Sequence, residues 1–243
     1  MAHYQLILAY DGTNYFGFQR QKENPTIQRA LETALGRLGW NKRTILAAGR
    51  TDAGVHASGQ VVQIDLDWGH STGDLCNAIN AYLPEDISVR SAACVHERAH
   101  PRYDARARSY RYQVFCDPLR NPLKERYGWR VWPELDRNLL RKTAELFYGT
   151  HDFSAFGSPV RRNGTTIRTI FESIWNFKND WIEYQITANA FLYHMVRRIV
   201  FQQVLVASGK VGVDQLGAGL INKELKIKGL APSNGLYLER VFY

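Results

Sequence analysis

The chain has 243 residues with 45% hydrophobic side chains, enough for one large α/β domain or two halves sharing a core. Lysine and arginine number 31 against 23 acidic residues, a formal charge of +8 that favours polyanionic partners, nucleic acid first among them. Three widely separated cysteines (Cys76, Cys94, Cys116) argue against a disulfide framework or a cysteine-based metal site, no stretch reaches membrane-span length, and the N-terminus lacks the basic region of a signal peptide, so a cytoplasmic protein is expected.

From the N-terminus, residues 4–10 (YQLILAY) read as a strand closed by Asp11-Gly12. A helix follows, with Asn24 as its cap, Pro25 in its first turn, and Ile27, Ala30, Leu31, Ala34, Leu35 and Leu38 on one face. A short strand over 44–48 leads into the loop GRTDAGVHASGQ, and the chain returns to a strand over 60–66. Leu75, Ala78, Ile79 and Tyr82 mark a second helix stopped by Pro84, and 87–95 form a fourth strand. The second half repeats this βαββαβ order. It has a long strand over 105–116, a helix capped by Asp136, and two strands over 167–177 and 181–188 around Lys178-Asn179-Asp180. Helices over 193–207 and 214–221 and a closing strand over 236–242 complete it. The expected fold class is α+β: two ferredoxin-like βαββαβ halves, 1–104 and 105–243, joined in one mixed, largely antiparallel sheet flanked by helices. The irregular stretch 149–166 is expected to be the most mobile.

Four segments carry side chains suited to chemistry. In the loop, Arg50 and Asp52 lie two residues apart, so extended chain would put them on one side. A guanidinium there favours the ionised carboxylate that a nucleophile or base requires. Gly49 and Gly54 would let a bulky partner approach the backbone. A surface turn with a local ion pair explains the same spacing, and spacing alone does not separate the two. His96-Glu97-Arg98-Ala99-His100 matches the zinc motif H-E-x-x-H, but a strand precedes it, Pro101 disfavours a helical His100, and no third ligand is evident. It reads as a loop, and no metal is expected. In RYDARARSYRY (102–112), a strand would place Arg106, Arg108, Tyr110 and Tyr112 on one face and Arg111 on the other. Cations interleaved with rings suit single-stranded RNA, although tyrosines are also good strand residues and arginine stems cover apolar surface. In NAFLYHMVRR, Arg197 and Arg198 fall in the first turns of a helix, positioned for phosphate or a buried carboxylate, and His194 reads as a packing residue. Neither a P-loop nor a dinucleotide-binding fingerprint occurs, so no nucleotide cofactor is expected.

YDGTNYFGFQRQ, AAGRTDAGVHASGQVV, ARSYRYQVF, GTHDFSAF, NAFLYHMVRRIV and APSNGLYL run in family order, and through them almost the whole chain resembles the tRNA pseudouridine synthase A family. GRTDAGVHA is the most specific stretch. The resemblance implies an active-site cleft between the halves and isomerisation of uridines 38 to 40 in the anticodon arm of tRNA. It also implies a homodimer with the RNA arm lying across both subunits, and no metal or cofactor. Asp52 then corresponds to the catalytic aspartate, Arg50 to the arginine of its loop, Arg197 to an arginine pairing with the aspartate, and Tyr110 to a tyrosine packed against the target base. Arg20, Arg106, Arg108 and Arg198 are expected to contact RNA. His100-Pro101-Arg102 departs from the His-Ala-Arg expected of the family, at the loop leading into the tyrosine strand. A uridine in a stem must be flipped out to react. A non-catalytic RNA-binding module would explain the charge but not a carboxylate beside Arg50, and a carboxylate-dependent hydrolase lacks a second acid at defined spacing.

Overall fold

Strand β1 (Ala2–Tyr10) turns Tyr4, Leu6, Leu8 and Tyr10 into the core and leaves His3, Gln5, Ile7 and Ala9 half-buried, the period of two that a one-sided strand requires. It belongs to the first of two units in the structure, a computed structural model that describes residues 2–159 and 164–243. Unit one is Met1–Arg106 with Tyr237–Tyr243, and unit two is Ala107–Leu236. The closing strand thus groups with the first unit, where sequence order alone put it with the second half.

In unit one, β1 pairs antiparallel with both β3 (His56–Leu66) and β4 (Ile87–Cys94). The other edge of β3 is shared: β2 (Leu46–Ala47) pairs antiparallel at Gln63 and Val62, and β10 (Leu236–Phe242) pairs parallel at His56 and Ala57. Helix α1 (Ile27–Gly36) buries Ile27, Leu31, Ala34 and Leu35, as the apolar spacing predicts. Its cap is Thr26 and not Asn24. The Thr26 hydroxyl accepts from Arg29 N at 3.4 Å, whereas the Asn24 amide donates to Gln21 Oε1 at 3.0 Å. Helix α2 (Thr72–Asn80) starts at a capping box made by Ser71 and Asp74 and packs on β4.

In unit two, β5 (Ala107–Cys116) pairs antiparallel with β9 (Ile182–Ala188), β9 with β8 (Ile167–Phe177), and β8 with β7 (Gly149–Asp152). A short β6 (Trp129–Val131) runs parallel to β5, preceded by the single turn α3 (Pro122–Glu125). Both are too short for periodicity to reveal. Helix α4 (Arg137–Glu145) is capped by Asp136, as read from the sequence, and packs on β8 and on α5 (Met195–Ala207), which is followed by α6 (Val213–Asn222). The stretch 149–166 is not the mobile segment expected over its described part. It contains β7, and Phe153 and Phe156 are fully buried against Phe147, with ring centroids 5.3 to 6.4 Å apart. Burial of three rings outweighs the entropy of ordering that segment. Residues 160–163 lie outside the described residues. The fold is α+β, with ten strands of mixed direction and six α-helices among the described residues.

Candidate active site

The GRTD loop of unit one hangs between β2 and β3, and its neighbours fix its path. Thr51 is buried and its hydroxyl lies 2.8 Å from the hydroxyl of Tyr10, the last inward residue of β1. Thr51 O accepts from Phe18 N at 3.0 Å, and Gly54 N donates to Tyr15 O at 3.2 Å. Gly17, at φ +92°, faces this backbone: a Cβ there would stand 2.8 Å from Thr51 O, so only glycine lets the two segments meet. A Cβ on Gly12 would likewise stand 2.0 Å from Val55 O. Val55 N donates to Asp52 O at 3.2 Å, closing a turn over Asp52–Val55.

His56, buried at the start of β3 and stacked on Tyr237 at 4.7 Å, supplies a further tie. Its Nδ1 lies 3.1 Å from Gly12 N and 3.1 Å from Asp11 Oδ1. Unprotonated, Nδ1 accepts from Gly12; protonated, it donates to Asp11. Either way it joins β3 to the loop after β1. Tyr15 donates to Asp86 at 2.5 Å, and burial followed by that carboxylate pushes its phenol up. The result is a rigid platform from which Thr51 turns inward while Asp52 stays half-buried and Arg50 exposed. Thr51→Val keeps the side-chain shape but removes the hydroxyl. It is expected to lower the unfolding free energy by about 1 kcal/mol in urea titration, with Thr51→Ser restoring it.

Spacing suggested that Arg50 and Asp52 are neighbours. Among the described residues Arg50 makes no ion pair, with Asp52 or with any other carboxylate. The i, i+2 rule holds for a strand, and this segment is irregular chain ending in a turn. Arg20 is also placed differently from a plain RNA contact. Its Nη1 donates to Glu32 Oε2 at 2.8 Å and its Nη2 to Arg43 O at 3.3 Å. The Glu32 carboxylate is buried and accepts besides from Gln28 Nε2 and Ile45 N. Arg20→Ala is therefore expected to destabilise unit one by about 1.5–3 kcal/mol, read as a lower urea midpoint. An unchanged midpoint would mean the guanidinium serves something other than Glu32. Arg106 is exposed, its backbone N bonded to Phe242 O at 2.8 Å.

In unit two, β5 alternates as read. Arg111 and Gln113 both reach Glu183 Oε1, at 3.4 and 3.2 Å. Burial alone would raise the Glu183 carboxyl, but Lys178, Gln113 and Arg111 outweigh it and hold the group below its usual range. On the other face Tyr110 and Tyr112 take different parts. Tyr112 is wholly buried, donates to Pro232 O at 2.7 Å and meets the Trp129 ring edge-on. Burial pushes its phenol far up, with the Arg197 charge acting in the opposite sense. It is a core residue, not a stacking platform. Tyr110 is half-buried and meets the edge of Phe191 at 5.1 Å, a ring the sequence reading did not single out. Arg108 Nη1 donates to Asn189 O at 3.3 Å.

His194 precedes α5 with φ +64° and stacks on Tyr193 at 3.7 Å. Arg197, in the first turn of α5, donates from Nε to Ala231 O at 2.7 Å, and Ala231 N donates back to Arg197 O at 3.3 Å. The guanidinium plane is thereby oriented by the APSNG loop. Arg198 is half-buried. His96 and His100 lie in turns, not on a helix, and accept through Nδ1 from Arg98 N and from Arg102 N, both at 3.1 Å. The departure at Pro101 is accommodated: its carbonyl accepts from the Tyr243 hydroxyl at 2.9 Å.

A family model described as tRNA pseudouridine synthase matches residues 6–104 and 143–243. Among curated relatives named tRNA pseudouridine synthase A, that of Bacillus sp. (strain KSM-64) is 35% identical over 245 residues, and that of Acetivibrio thermocellus is 36% identical over 244. That of Thermoanaerobacter sp. (strain X514) is 35% identical over 244 residues. In each case the match spans 100% of this chain and 100% of the relative.

Proposed function

The chain belongs to the tRNA pseudouridine synthase family, and from that premise we propose that it isomerises uridine to pseudouridine at positions 38, 39 or 40 of the tRNA anticodon stem-loop, with Asp52 as the reacting carboxylate. The observation that carries this reading is the GRTDAGVH loop. Its backbone is tied to β1 and to the segment after it by Thr51, Gly54 and His56, so that Asp52 is presented on a fixed turn. Preorganisation of that kind is what positions a catalytic group.

The chemistry makes definite demands. The bond from uracil N1 to C1′ breaks, the ring turns, and a bond from C5 to C1′ forms. The C5 proton is lost and N1 gains one, so atoms and electrons balance without an oxidant or reductant, and water must be kept from both fragments. An ionised Asp52 serves by adding to the sugar, by adding to the base, or by taking a sugar proton to give a glycal. The Tyr110 ring, braced edge-on by Phe191, is assigned to an unstacked, flipped-out base, and Arg197, oriented by Ala231, is the cation assigned to the carboxylate. Arg50, in the same loop as Asp52, is assigned to the catalytic machinery, and Arg106, Arg108 and Arg198 to the RNA backbone, consistent with the charge of +8. Arg20 is assigned there through its exposed part only, since Glu32 holds its head group. A homodimer and a cytoplasmic location complete the proposal. No helix among the described residues is long and apolar enough to cross a membrane.

The test is product mapping. tRNA transcripts with a single uridine at 38, 39 or 40 are incubated with the protein and digested to nucleosides. Uridine lost at those positions should equal pseudouridine gained. No gain with folded protein on several tRNAs would overturn the proposal.

A further inference from the structure

Unit two holds a pocket of about 570 Å³ in which, of the cations assigned to RNA above, Arg198 alone is among the described lining residues. Three segments meet there: the turn after β7, the first turn of α5, and the loop that leaves α6. Its floor is well built. Lys223 caps α6 in the left-handed region (φ +61°), and its Nζ reaches Asp152 Oδ2 on β7 at 2.7 Å. Lys223, Thr166 and Ser154 together hold the Asp152 carboxyl well below its usual range. Further along, Gly229 lies so close to the Phe201 ring that a Cβ would stand 2.2 Å from it, which pins the loop against α5.

The charges on the walls are not balanced in the same way. Lys223 is spent on Asp152, but Arg198 and Lys228 make no ion pair and no side-chain hydrogen bond among the described residues. Glu224 also lines the pocket and is paired with neither. A half-buried guanidinium without an anion forgoes the charge-assisted bonds it is shaped to make. Among the described residues the lining has no aromatic ring and no side-chain amide, the groups that read bases. What remains is chemistry for a phosphodiester.

We propose that this pocket, through Arg198 and Lys228, binds a backbone phosphate of the RNA substrate away from the reacting nucleotide. The inference rests on the proposed function for the identity of the RNA. Arg198 directly follows Arg197 in the first turn of α5, and Leu230, on the pocket wall, directly precedes Ala231, which orients Arg197. A phosphate seated here would fix the same helix turn and loop that hold the Arg197 guanidinium.

The experiment measures tRNA affinity by anisotropy across salt concentrations, together with kcat and KM. In R198Q/K228Q, tRNA binding should weaken about ten-fold, and the slope of log K against log salt should fall by about 1 to 2. The loss should fall more on KM than on kcat. Arg198→Lys should recover part of the slope. Glu224→Gln, which removes the one carboxylate among the described wall residues, should tighten binding about two- to three-fold, an effect a merely structural role would not produce. Unchanged affinity and slope in folded R198Q/K228Q would overturn the inference. So would millimolar binding of inorganic phosphate that the double variant loses while tRNA binding is untouched, which would mark a small-anion pocket. Asp52→Asn, assayed alongside, separates the readings: turnover lost there with R198Q/K228Q unaffected leaves the function standing and this site refuted.

Discussion

Asp52→Asn is expected to abolish isomerisation, lowering the rate of tritium release from C5-labelled uridine in tRNA by about 10⁴-fold or more, while tRNA affinity stays within about three-fold. The substitution keeps the shape of the side chain and its place on the turn over Asp52–Val55, and removes only the charge. All three routes open to the carboxylate need that charge, whereas binding of a polyanion does not, since a carboxylate repels phosphate. The split between lost turnover and kept affinity is therefore the signature of a reacting group. A parallel loss of both would assign Asp52 to the RNA interface, and retained turnover would remove it from the chemistry.

The second large effect is expected at Arg197. Arg197→Ala should lower kcat about 10²-fold, with KM changing much less, because the proposal assigns the guanidinium to the reacting carboxylate and not to RNA affinity. Arg197→Lys keeps the charge but has no planar fork, and its single nitrogen cannot both donate to Ala231 O and keep the guanidinium's orientation. It should recover no more than a part of kcat. Kinetics unchanged in the alanine variant would contradict the assignment. A variant that unfolds is recognised by its urea transition, since the Ala231 contact also ties the APSNG loop to α5.

Much of the fold was legible because its signals are local. Alternation in β1, the apolar face of α1, the Asp136 cap and the limits of β8 all follow from neighbours in sequence. What was missed depends on residues far apart. The buried Phe147–Phe153–Phe156 cluster orders a stretch whose own residues suggest loop. β10 joins β3 at His56 and Ala57, a pairing across most of the chain that no local pattern announces. The α1 cap is Thr26 and not Asn24 because the helix begins at Ile27, directly after Thr26.

The candidate site divides along the same line. Asp52, Tyr110 and Arg197 could be named from motifs, but the reasons for their placement could not. Arg50 and Asp52 were expected as neighbours on one side of extended chain, with a local ion pair as the rival reading; Arg50 makes no ion pair among the described residues, and Asp52 opens the turn at 52–55. Arg20 was expected to contact RNA, and only the fold shows that its head group also meets Glu32, twelve residues on and buried. Thr51 sits unremarked between two charged residues, and only the inward end of β1 shows that Tyr10 waits for its hydroxyl. Tyr112 shares the alternation of Tyr110, yet the carbonyl of Pro232 makes it core.

The central claim, that this protein isomerises uridine in tRNA through Asp52, is tested most directly by tritium release under single-turnover conditions. Transcripts carrying tritium at uracil C5 are mixed with excess wild-type or Asp52→Asn protein. Release from the wild type, up to the number of uridines at positions 38 to 40, with none from the variant that still binds, is the result expected. No release from folded wild-type protein that binds the same transcripts, or equal release from both proteins, would contradict it.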